Sequence, residues 1–475
     1  GKFPYIKTLQ NGAKKGKIYM SMQTTICAPV TGEGKSAVAV VRLSGPQALA
    51  ITRVLCPACQ DWQPRRQNLC RIMDGEAVLD SALVTYFKAP HSFTGEDVVE
   101  FALHGSPYIR GRVLELLCRA GAVPARRGEY SYRAFLNGKM DLLEAQGLCD
   151  LISSGNKEAH AMAMSSLDGR LSKRLENVKK TLTNLLAQIE VRLDDVDEEM
   201  TPLDDTYVQG ELAQCVAALA RLADTFSVGK FIKEGLKVAI VGAPNAGKSS
   251  LLNALVGFDR AIVSAQSGTT RDTIEETLDI NGRKIILTDT AGIRDHALDP
   301  AEQEGMKRSV KAMRAADAVI MVADSSRAPT PQEKALWADV LEEHKKTVLV
   351  LNKQDALLEN NNAGAWNPGT GNFTTVKLSC KTGQGVDELK QALTQGLTTA
   401  MAEDGVMISN LRQYEAVLRA QTELEMAQRR LTAQAGGEIY AEHIRAALNG
   451  LKDLIGEVTP DDVLDVIFST FCMGK

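Results

Sequence analysis

The sequence lacks an apolar stretch that approaches the ~20 consecutive residues a helix needs to span a bilayer. It also lacks an excess of charge of one sign: the formal net charge is −4 with 24% charged residues, so no overall basic field favours nucleic acid. The nine cysteines are odd in number and scattered, which is typical of reduced thiols and not of a disulfide framework. We therefore expect a cytoplasmic protein without a membrane segment.

Composition along the 475 residues divides the chain into α+β, helical and alternating strand–helix regions. Two helical regions flank the alternating region, whose ends normally lie close together, so we expect one helical domain interrupted by an inserted doubly wound domain. The predicted segments are a leader or cloning-derived segment at 1–21, an N-terminal α+β domain at 22–137, helical parts at 138–230 and 398–475, and an α/β domain at 234–397. Met20 or Met22 is the more natural start.

A phosphate-binding sequence motif lies between a predicted strand and a predicted helix. Residues 242–249 read G-x-x-x-x-G-K-S; the apolar run 237–241 precedes them and helical apolar spacing follows. Glycines allow the backbone N–H groups and the helix N-terminus to face an anion. Lys248 is expected to reach the β- and γ-phosphates, and the Ser249 hydroxyl is expected to ligate Mg²⁺.

Three more sequence motifs follow predicted strands, in the order typical of a GTPase. They are D-x-x-G at 289–292, N-K-x-D at 352–355 and Ser-Cys-Lys at 379–381. The Asp355 carboxylate can accept hydrogen bonds from the N1–H and 2-amino groups of guanine, a donor pair that adenine does not offer. The words predict a GTP site that contains Asn245, Ala246, Gly247, Lys248, Ser249, Ser250, Asp289, Thr290, Ala291, Gly292, Asn352, Lys353, Asp355, Ser379, Cys380 and Lys381.

The residues expected to support hydrolysis are less clear. Ile293 stands where many small GTPases have a water-orienting glutamine, and no arginine finger is identifiable in cis. An acidic residue of the following segment is the substitute; the candidates are Asp295, Asp299, Glu302 and Glu304. The Asn245 carbonyl, with backbone carbonyls of 264–270, can hold a K⁺ that supplies the missing positive charge. Simple loop propensity explains Asn245 equally well.

Four sequence motifs other than those of the predicted GTP site carry a resemblance to a family. They are Ser-Phe-Thr-Gly-Glu-Asp at 92–97, the run 134–142, Gly-Thr-Thr-Arg-Asp at 268–272, and the terminal Phe-Cys-Met-Gly-Lys at 471–475. On these words the chain resembles the MnmE (TrmE) tRNA-modification GTPases over residues 23–475. Cys380 departs from the alanine that is usual there, and 194–199 depart from the usual Asp-Phe-Pro-Asp-Glu-Glu.

The resemblance implies a reaction and partners. With a flavoprotein of the MnmG (GidA) type that uses FAD and NADH, the family adds an aminomethyl or carboxymethylaminomethyl group to C5 of the tRNA wobble uridine. A 5-formyl- or 5,10-methylene-tetrahydrofolate supplies the one-carbon unit. A homodimer through the N-terminal domain, a heterotetramer or larger complex with the partner, and K⁺-stimulated GTP hydrolysis are also implied. A ribosome-assembly GTPase that binds rRNA without modifying it is the alternative.

The resemblance also implies roles for individual residues. Glu302 becomes the preferred water-positioning acid, because it lies three residues before Gly305, and Glu304 remains a competitor. Cys472 becomes a functional thiol without an assigned step, and Arg271 a further catalytic candidate. The implied ligand sets are Arg42, Glu100, Lys139 and Lys475 for folate; Asn245, Ser264, Gln266 and Thr269 for K⁺; Ser249 and Thr270 for Mg²⁺; and Ser264, Thr269 and Thr270 as additions to the GTP site.

Overall fold

The computed structural model describes most of the chain, and every structural statement below refers to that part. The described residues are 24–194, 201, 203–258, 276–288, 312–343, 345–357, 366, 373–395, 405–433, 436–471 and 474. Contacts divide them into two units, which are described separately. One unit holds the residues up to Ala145 together with those from Thr459 onward, and the other holds Gln146–Val458.

The first unit is built on a six-stranded sheet. Its strands are β1 (Ile26–Pro29), β2 (Val38–Ser44), β3 (Gln67–Asp74), β4 (Ala77–Phe87), β5 (Val98–His104) and β6 (Val123–Pro124), in the order β3-β4-β5-β2-β1-β6. All neighbours pair antiparallel except β1 and β6. Buried residues alternate along these strands, as expected when one sheet face meets the core. Helices α1 (Ala48–Leu55) and α2 (Pro107–Arg119) contribute to that core.

The last helix of the chain belongs to the same unit. Helix α3 (Glu129–Leu136) packs against Asp461–Ser469, the final helix, through an aromatic cluster. The rings of Tyr132 and Phe468 meet edge to face with centroids 5.3 Å apart, and Phe471 lies 5.0 Å from Phe468. These contacts explain why the residues from Thr459 onward group with the N-terminal residues, although the sequence analysis placed 398–475 in the helical domain.

The second unit contains long amphipathic helices. They are α4 (Leu142–Ser153, which begins before the unit boundary), α5 (Lys157–Leu167), α6 (Arg170–Leu193), α7 (Asp205–Ala223), α8 (Phe226–Glu234), α13 (Leu411–Thr432) and α14 (Gly437–Ile455). Along α6 the buried residues recur at helical spacing, from Leu171 to Ile189. Helix α13 packs against α7 and α14, and α14 packs against α6. The two helical stretches of the sequence thus form one bundle.

Between these stretches lies a second six-stranded sheet. Its strands are β7 (Leu236–Gly242), β8 (Glu276–Ile280), β9 (Arg283–Thr288), β10 (Ala318–Asp324), β11 (Lys346–Asn352) and β12 (Phe373–Lys377), in the order β12-β11-β10-β7-β9-β8. Among the described strands of this sheet, β8 is antiparallel to β9 and the other neighbours pair parallel. The helices of this region are α9 (Lys248–Phe258), α10 (Pro331–Glu342), α11 (Gln354–Leu357) and α12 (Val386–Thr394). Alternate residues of β7 and β10 enter apolar clusters on opposite faces, as in a doubly wound fold.

The final helix named above, Asp461–Ser469, is α15. No helix among the described residues is both long enough and apolar enough to cross a membrane. The eight cysteines in the described part are all free.

Candidate functional site

The phosphate-binding word forms the turn between β7 and α9. Asn245 and Gly247 have φ values of +60° and +102°, which curl the backbone back toward the helix start. A Cβ at Gly247 would lie 2.1 Å from the Asn352 side-chain nitrogen, so only glycine fits there. Helix α9 begins at Lys248, which leaves its first backbone N–H groups facing the turn. The strand–turn–helix context predicted from the sequence is therefore present.

The ammonium of Lys248 has neutral hydrogen-bond partners. Its Nζ donates to the carbonyl oxygens of Gly242 and Ala243, each at 2.8 Å. Burial lowers its pKa from the ordinary value, because a charged group loses solvation inside the protein. A cation held by carbonyl oxygens at the start of a helix fits a phosphate group.

The side chain of Asn352, at the end of β11, hydrogen-bonds to two other loops of the site. Its Nδ2 donates to the Ala246 carbonyl at 3.0 Å, and its Oδ1 accepts from the Cys380 N–H at 3.2 Å. The phosphate-binding turn and the Ser-Cys-Lys loop therefore meet at one buried amide. Sequence motifs separated by more than a hundred residues converge at one edge of the sheet, as expected for the carboxyl ends of parallel strands.

The predicted base-recognition residues lie beside this amide. Asp355 Oδ1 accepts from the Ser379 hydroxyl at 2.6 Å, and this hydrogen bond lowers the pKa of Asp355 from its ordinary value. Asp355 is therefore an ionised acceptor at neutral pH. Burial raises the pKa of the Cys380 thiol to about 11, so the residue that replaces the usual alanine stays uncharged.

One charged residue of this region was missed by the sequence analysis. Asp324, the last residue of β10, lies 2.6 Å from the Lys353 ammonium and is buried. The signal was present, because an acidic residue ends the apolar run 318–323 on the strand next to β11. Such an acid at the carboxyl end of a parallel strand is a site candidate.

Most of the predicted hydrolytic residues lie outside the described residues. They are Ser264, Gln266, Thr269, Thr270, Arg271, Asp289, Thr290, Ala291, Gly292, Ile293, Asp295, Asp299, Glu302 and Glu304. Ser249 and Ser250 lie in the first turn of α9, and Lys381 follows Cys380 in its loop.

A second candidate site lies on the first unit, where Arg42 of β2 faces Glu100 of β5. The two residues are register partners, and Arg42 Nη2 lies 2.7 Å from Glu100 Oε1. The guanidinium carbon is 5.0 Å from the Phe93 ring centre and 5.6 Å from that of Tyr130. Arg42 Nη1 is buried and has no hydrogen-bond partner among the residues that the structure describes. An orphaned cationic donor between aromatic rings fits a ligand with a carboxylate and a planar ring system.

Of the two other predicted folate residues, Lys139 is described directly, and the position of Lys475 is approached through its neighbour Gly474. Lys139 Nζ donates to the Pro90 carbonyl at 3.1 Å, in the loop that also carries Phe93. A Cβ at Gly474 would lie 2.2 Å from the Pro29 carbonyl, and Gly474 has a φ of +89°, so only glycine fits at this position beside β1. Strand β1 pairs with the strand that carries Arg42. Cys472 and Lys475 lie outside the described residues.

A buried charge network in the same unit was not anticipated from the sequence. Arg133, only 4% exposed, donates to Glu96 at 3.1 Å and to Glu129 at 3.0 Å. Ser44 also donates to Glu96, at 2.7 Å. These bonds fix the Thr-Gly-Glu-Asp loop against β2, because each buried charge needs its partners.

Comparison with known proteins was informative over nearly the whole chain. The family model described as the MnmE helical domain matches residues 142–472, and the one described as the GTP-binding protein TrmE N-terminus matches 25–139. A tRNA modification GTPase MnmE of Bacteroides fragilis (strain YCH46) is 39% identical over 466 residues, covering 95% of this chain and 100% of that protein. The one from Akkermansia muciniphila is 40% identical over 460 residues, covering 95% and 99%.

Similarity to solved structures is weak. The FeoB G-domain from Methanococcus jannaschii covers 34% of this chain and 97% of that chain, with 22% identity and a TM-score of 0.25. The helical-domain model alone matches well over half of the chain, and the curated relatives match it nearly end to end. The chain therefore belongs to the MnmE family of tRNA modification GTPases.

Proposed function

We propose that this protein is a K⁺-stimulated GTP hydrolase that acts in tRNA wobble-uridine modification. With a flavin-dependent partner of the MnmG type, which carries FAD and uses NADH, it adds an aminomethyl or carboxymethylaminomethyl group to C5 of uridine 34 of certain tRNAs. Convergence of the phosphate and base loops at Asn352, in a chain of this family, carries the proposal. We expect a cytoplasmic homodimer, formed through the N-terminal domain, within a heterotetramer or larger complex.

The nucleotide site would work by position and charge. The turn before α9 presents backbone N–H groups to the phosphates, and Lys248 exchanges its two carbonyl partners for phosphate oxygens. Asp355, held ionised by Ser379, accepts from the guanine N1–H and 2-amino groups. Adenine leaves this acceptor unpaired, so the site selects GTP.

Hydrolysis would depend on residues from several loops. Glu302 is proposed to orient the attacking water, with Arg271 as a further catalytic candidate. Ser249 and Thr270 would hold Mg²⁺, and Asn245, Ser264, Gln266 and Thr269 would hold K⁺. These cations supply positive charge to the phosphate oxygens when bound.

The space bounded by Arg42, Glu100, Phe93 and Tyr130, here called the Arg42 pocket, would bind the tetrahydrofolate one-carbon donor. The unpartnered Nη1 of Arg42 is available to a folate carboxylate, and Glu100 offers acceptors to pterin N–H donors. Lys139 and Lys475 are proposed as additional cationic contacts, and Cys472 as a functional thiol beside them. The close approach of Gly474 to Pro29 supports this placement of the tail.

The modification is tested by deleting the gene and measuring wobble nucleosides of bulk tRNA by mass spectrometry. Loss of the C5-aminomethyl-type nucleosides, restored by wild type but not by Cys472→Ser or Glu302→Ala, is the expected result. Restoration by both variants would keep the modification but remove the roles given to those residues. Unchanged nucleosides in the deletion strain would favour the ribosome-assembly alternative.

Folate binding is tested by titrating the purified protein with 5-formyltetrahydrofolate in a calorimeter. Arg42→Ala is expected to weaken binding at least about tenfold, because a charged hydrogen bond from a largely buried guanidinium is lost. Arg112→Ala is the matched control, since Arg112 pairs with Asp74 on the same sheet unit and not in the pocket. Equal binding by Arg42→Ala and wild type would contradict the pocket assignment.

A further inference from the structure

The backbone of Lys353 has a conformation that side-chain-bearing residues rarely adopt. Its φ is +65°, and its ammonium lies 2.6 Å from Asp324 Oδ2. A residue other than glycine persists in the left-handed region when its surroundings hold it there. The Lys353 side chain is 38% exposed, so burial of the lysine alone does not fix it.

The Asp324 carboxylate, in contrast, is fixed from within its own segment. It is 7% exposed, and its Oδ1 accepts from the N–H and the hydroxyl of Ser326, at 3.0 and 2.6 Å. The nearby Arg327 is 3.9 Å from Oδ2 but makes its shorter bonds to Glu333, at 2.8 and 2.9 Å. Contacts within residues 324–326 therefore leave Oδ2 directed at Lys353.

The same segment also holds both neighbours of Lys353. The N–H and hydroxyl of Ser325 donate to the Asn352 carbonyl, at 3.0 and 2.5 Å. The Gln354 side-chain amide donates to the Ser325 hydroxyl at 3.0 Å. Residues 324–326 thus fix the main chain of the base-recognition loop, and Asp324 fixes its lysine.

We propose that Asp324 is a positioning residue that holds the Lys353 side chain against the face of the bound guanine and so slows nucleotide release. The inference rests on the proposed GTP site, because Lys353 lies two residues before Asp355. A free lysine side chain loses much rotamer freedom when it packs on a ligand. A lysine already held by Asp324 loses less, so the bound nucleotide stays longer.

The test is stopped-flow measurement of dissociation of a fluorescent GDP from the full chain, for Asp324→Asn, Lys353→Ala and the double variant. We expect Asp324→Asn to release GDP about tenfold faster, with the association rate nearly unchanged. The double variant should release GDP no faster than Lys353→Ala, since Asp324 acts through Lys353. Asp387→Asn removes an exposed carboxylate partner of Lys390 in the same α/β region and should leave release unchanged.

Independent, multiplicative effects of the two substitutions would overturn the inference, because a purely structural Asp324 does not need Lys353. Unchanged release by Asp324→Asn would overturn it as well. If wild type binds neither fluorescent GDP nor GTP, the proposed function fails and the inference fails with it. These outcomes are distinguishable because only the last concerns the wild type.

A second variant keeps the test decisive if Asp324→Asn does not fold. Ser326→Ala removes one donor to the carboxylate and leaves the buried charge paired with Lys353. We expect a smaller acceleration of GDP release, which disappears in the Lys353→Ala background. An acceleration that persists in that background would contradict the positioning role.

Discussion

Side chains in this protein acquire their chemistry from one or two neighbours. Cys27 and Cys118, on β1 and α2, have their sulfur atoms 3.8 Å apart. The hydrogen bond between these two sulfur atoms lowers the pKa of the half-buried Cys118 to about 7. The same hydrogen bond raises the pKa of the buried Cys27. Burial raises the pKa of Cys56 to about 12 and of Cys215 to about 11. Identical residues are therefore expected to differ in reactivity.

We predict that Cys118 is the first of these thiols to react with iodoacetamide. The thiolate is the nucleophile, so its alkylation rate should rise with pH to a plateau, with a midpoint near 7. Cys56 and Cys215 should stay unmodified below pH 9 in the folded protein. Peptide mass spectrometry after timed labelling measures this. Labelling of Cys27 ahead of Cys118 would contradict the assignment, and Cys27→Ala, which removes the hydrogen-bond donor, should return the Cys118 midpoint toward its ordinary value.

Helix ends and helix docking govern the elements. Helix α10 begins with a capping box, in which Thr330 and Glu333 satisfy each other's backbone N–H groups. Glu333 is 1% exposed and pairs with Arg327. Burial alone would raise its pKa, but the bonds from Arg327 and Thr330 outweigh burial and lower it below 4.5. Its stabilising contribution is therefore present above the unfolded pKa and is lost as pH falls through the lower folded value.

We predict that Glu333→Ala lowers the free energy of unfolding of this region by about 3 kcal/mol, because Arg327 loses its partner and the helix loses its cap. The loss should shrink as pH falls from the unfolded pKa of a glutamate through the lowered folded pKa of Glu333, because wild type loses the same contribution there. Denaturant unfolding at pH 7 and at a series of lower pH values measures both. Asp339→Ala, an exposed acid on the same helix, is the control and should change stability by less than about 0.5 kcal/mol.

Docking of α15 depends on few side chains. We predict that Phe468→Ala, which removes a buried ring from the cluster with Tyr132 and Phe471, destabilises the docked helix by about 3 kcal/mol. Limited proteolysis should then cleave near α15 at least tenfold faster than in wild type. Val466→Ala, 67% exposed on the same helix, is the matched control. Equal cleavage in both variants would show that the aromatic cluster does not hold the helix.

Across the second unit, one arginine links the nucleotide-binding sheet to the helical bundle. Arg283, at the start of β9, donates to the Thr394 carbonyl at 2.8 Å and lies 3.5 Å from Glu158 of α5. Strand β9 leads directly to the D-x-x-G word at 289–292. A shift of β9 would therefore change the contact of Arg283 with Glu158 of the helical bundle.

We predict that Arg283→Ala destabilises the protein by about 2 kcal/mol, because a buried carbonyl and a half-buried carboxylate lose their donor. Combined with Glu158→Ala, the effects should be non-additive by at least about 0.5 kcal/mol. Arg314→Ala, which removes an exposed guanidinium, is the control and should be nearly neutral. Strict additivity would mean that Arg283 acts only through Thr394.

Much of this fold follows from local sequence patterns. The apolar run 237–241 and the strand predicted before the N-K-x-D motif at 352–355 correspond to Leu236–Gly242 and Lys346–Asn352 in the structure. The G-x-x-x-x-G-K-S and N-K-x-D words predict a turn and a loop at the ends of those strands, because backbone propensity and burial period act over a few residues. The family resemblance is confirmed by the two family models and by the curated relatives.

The pairings between distant residues were decided by tertiary structure alone. Neither the Asp324–Lys353 pair nor the Arg42–Glu100 register can be derived from local spacing. The periodicity of α15 indicates an amphipathic helix but not that its Phe468 packs on Tyr132, over three hundred residues earlier. The sequence by itself thus determined the elements and the chemical words, since these depend on neighbours along the chain. Which buried charge meets which partner depends on how sheets and helices pack, and only the folded chain determines it.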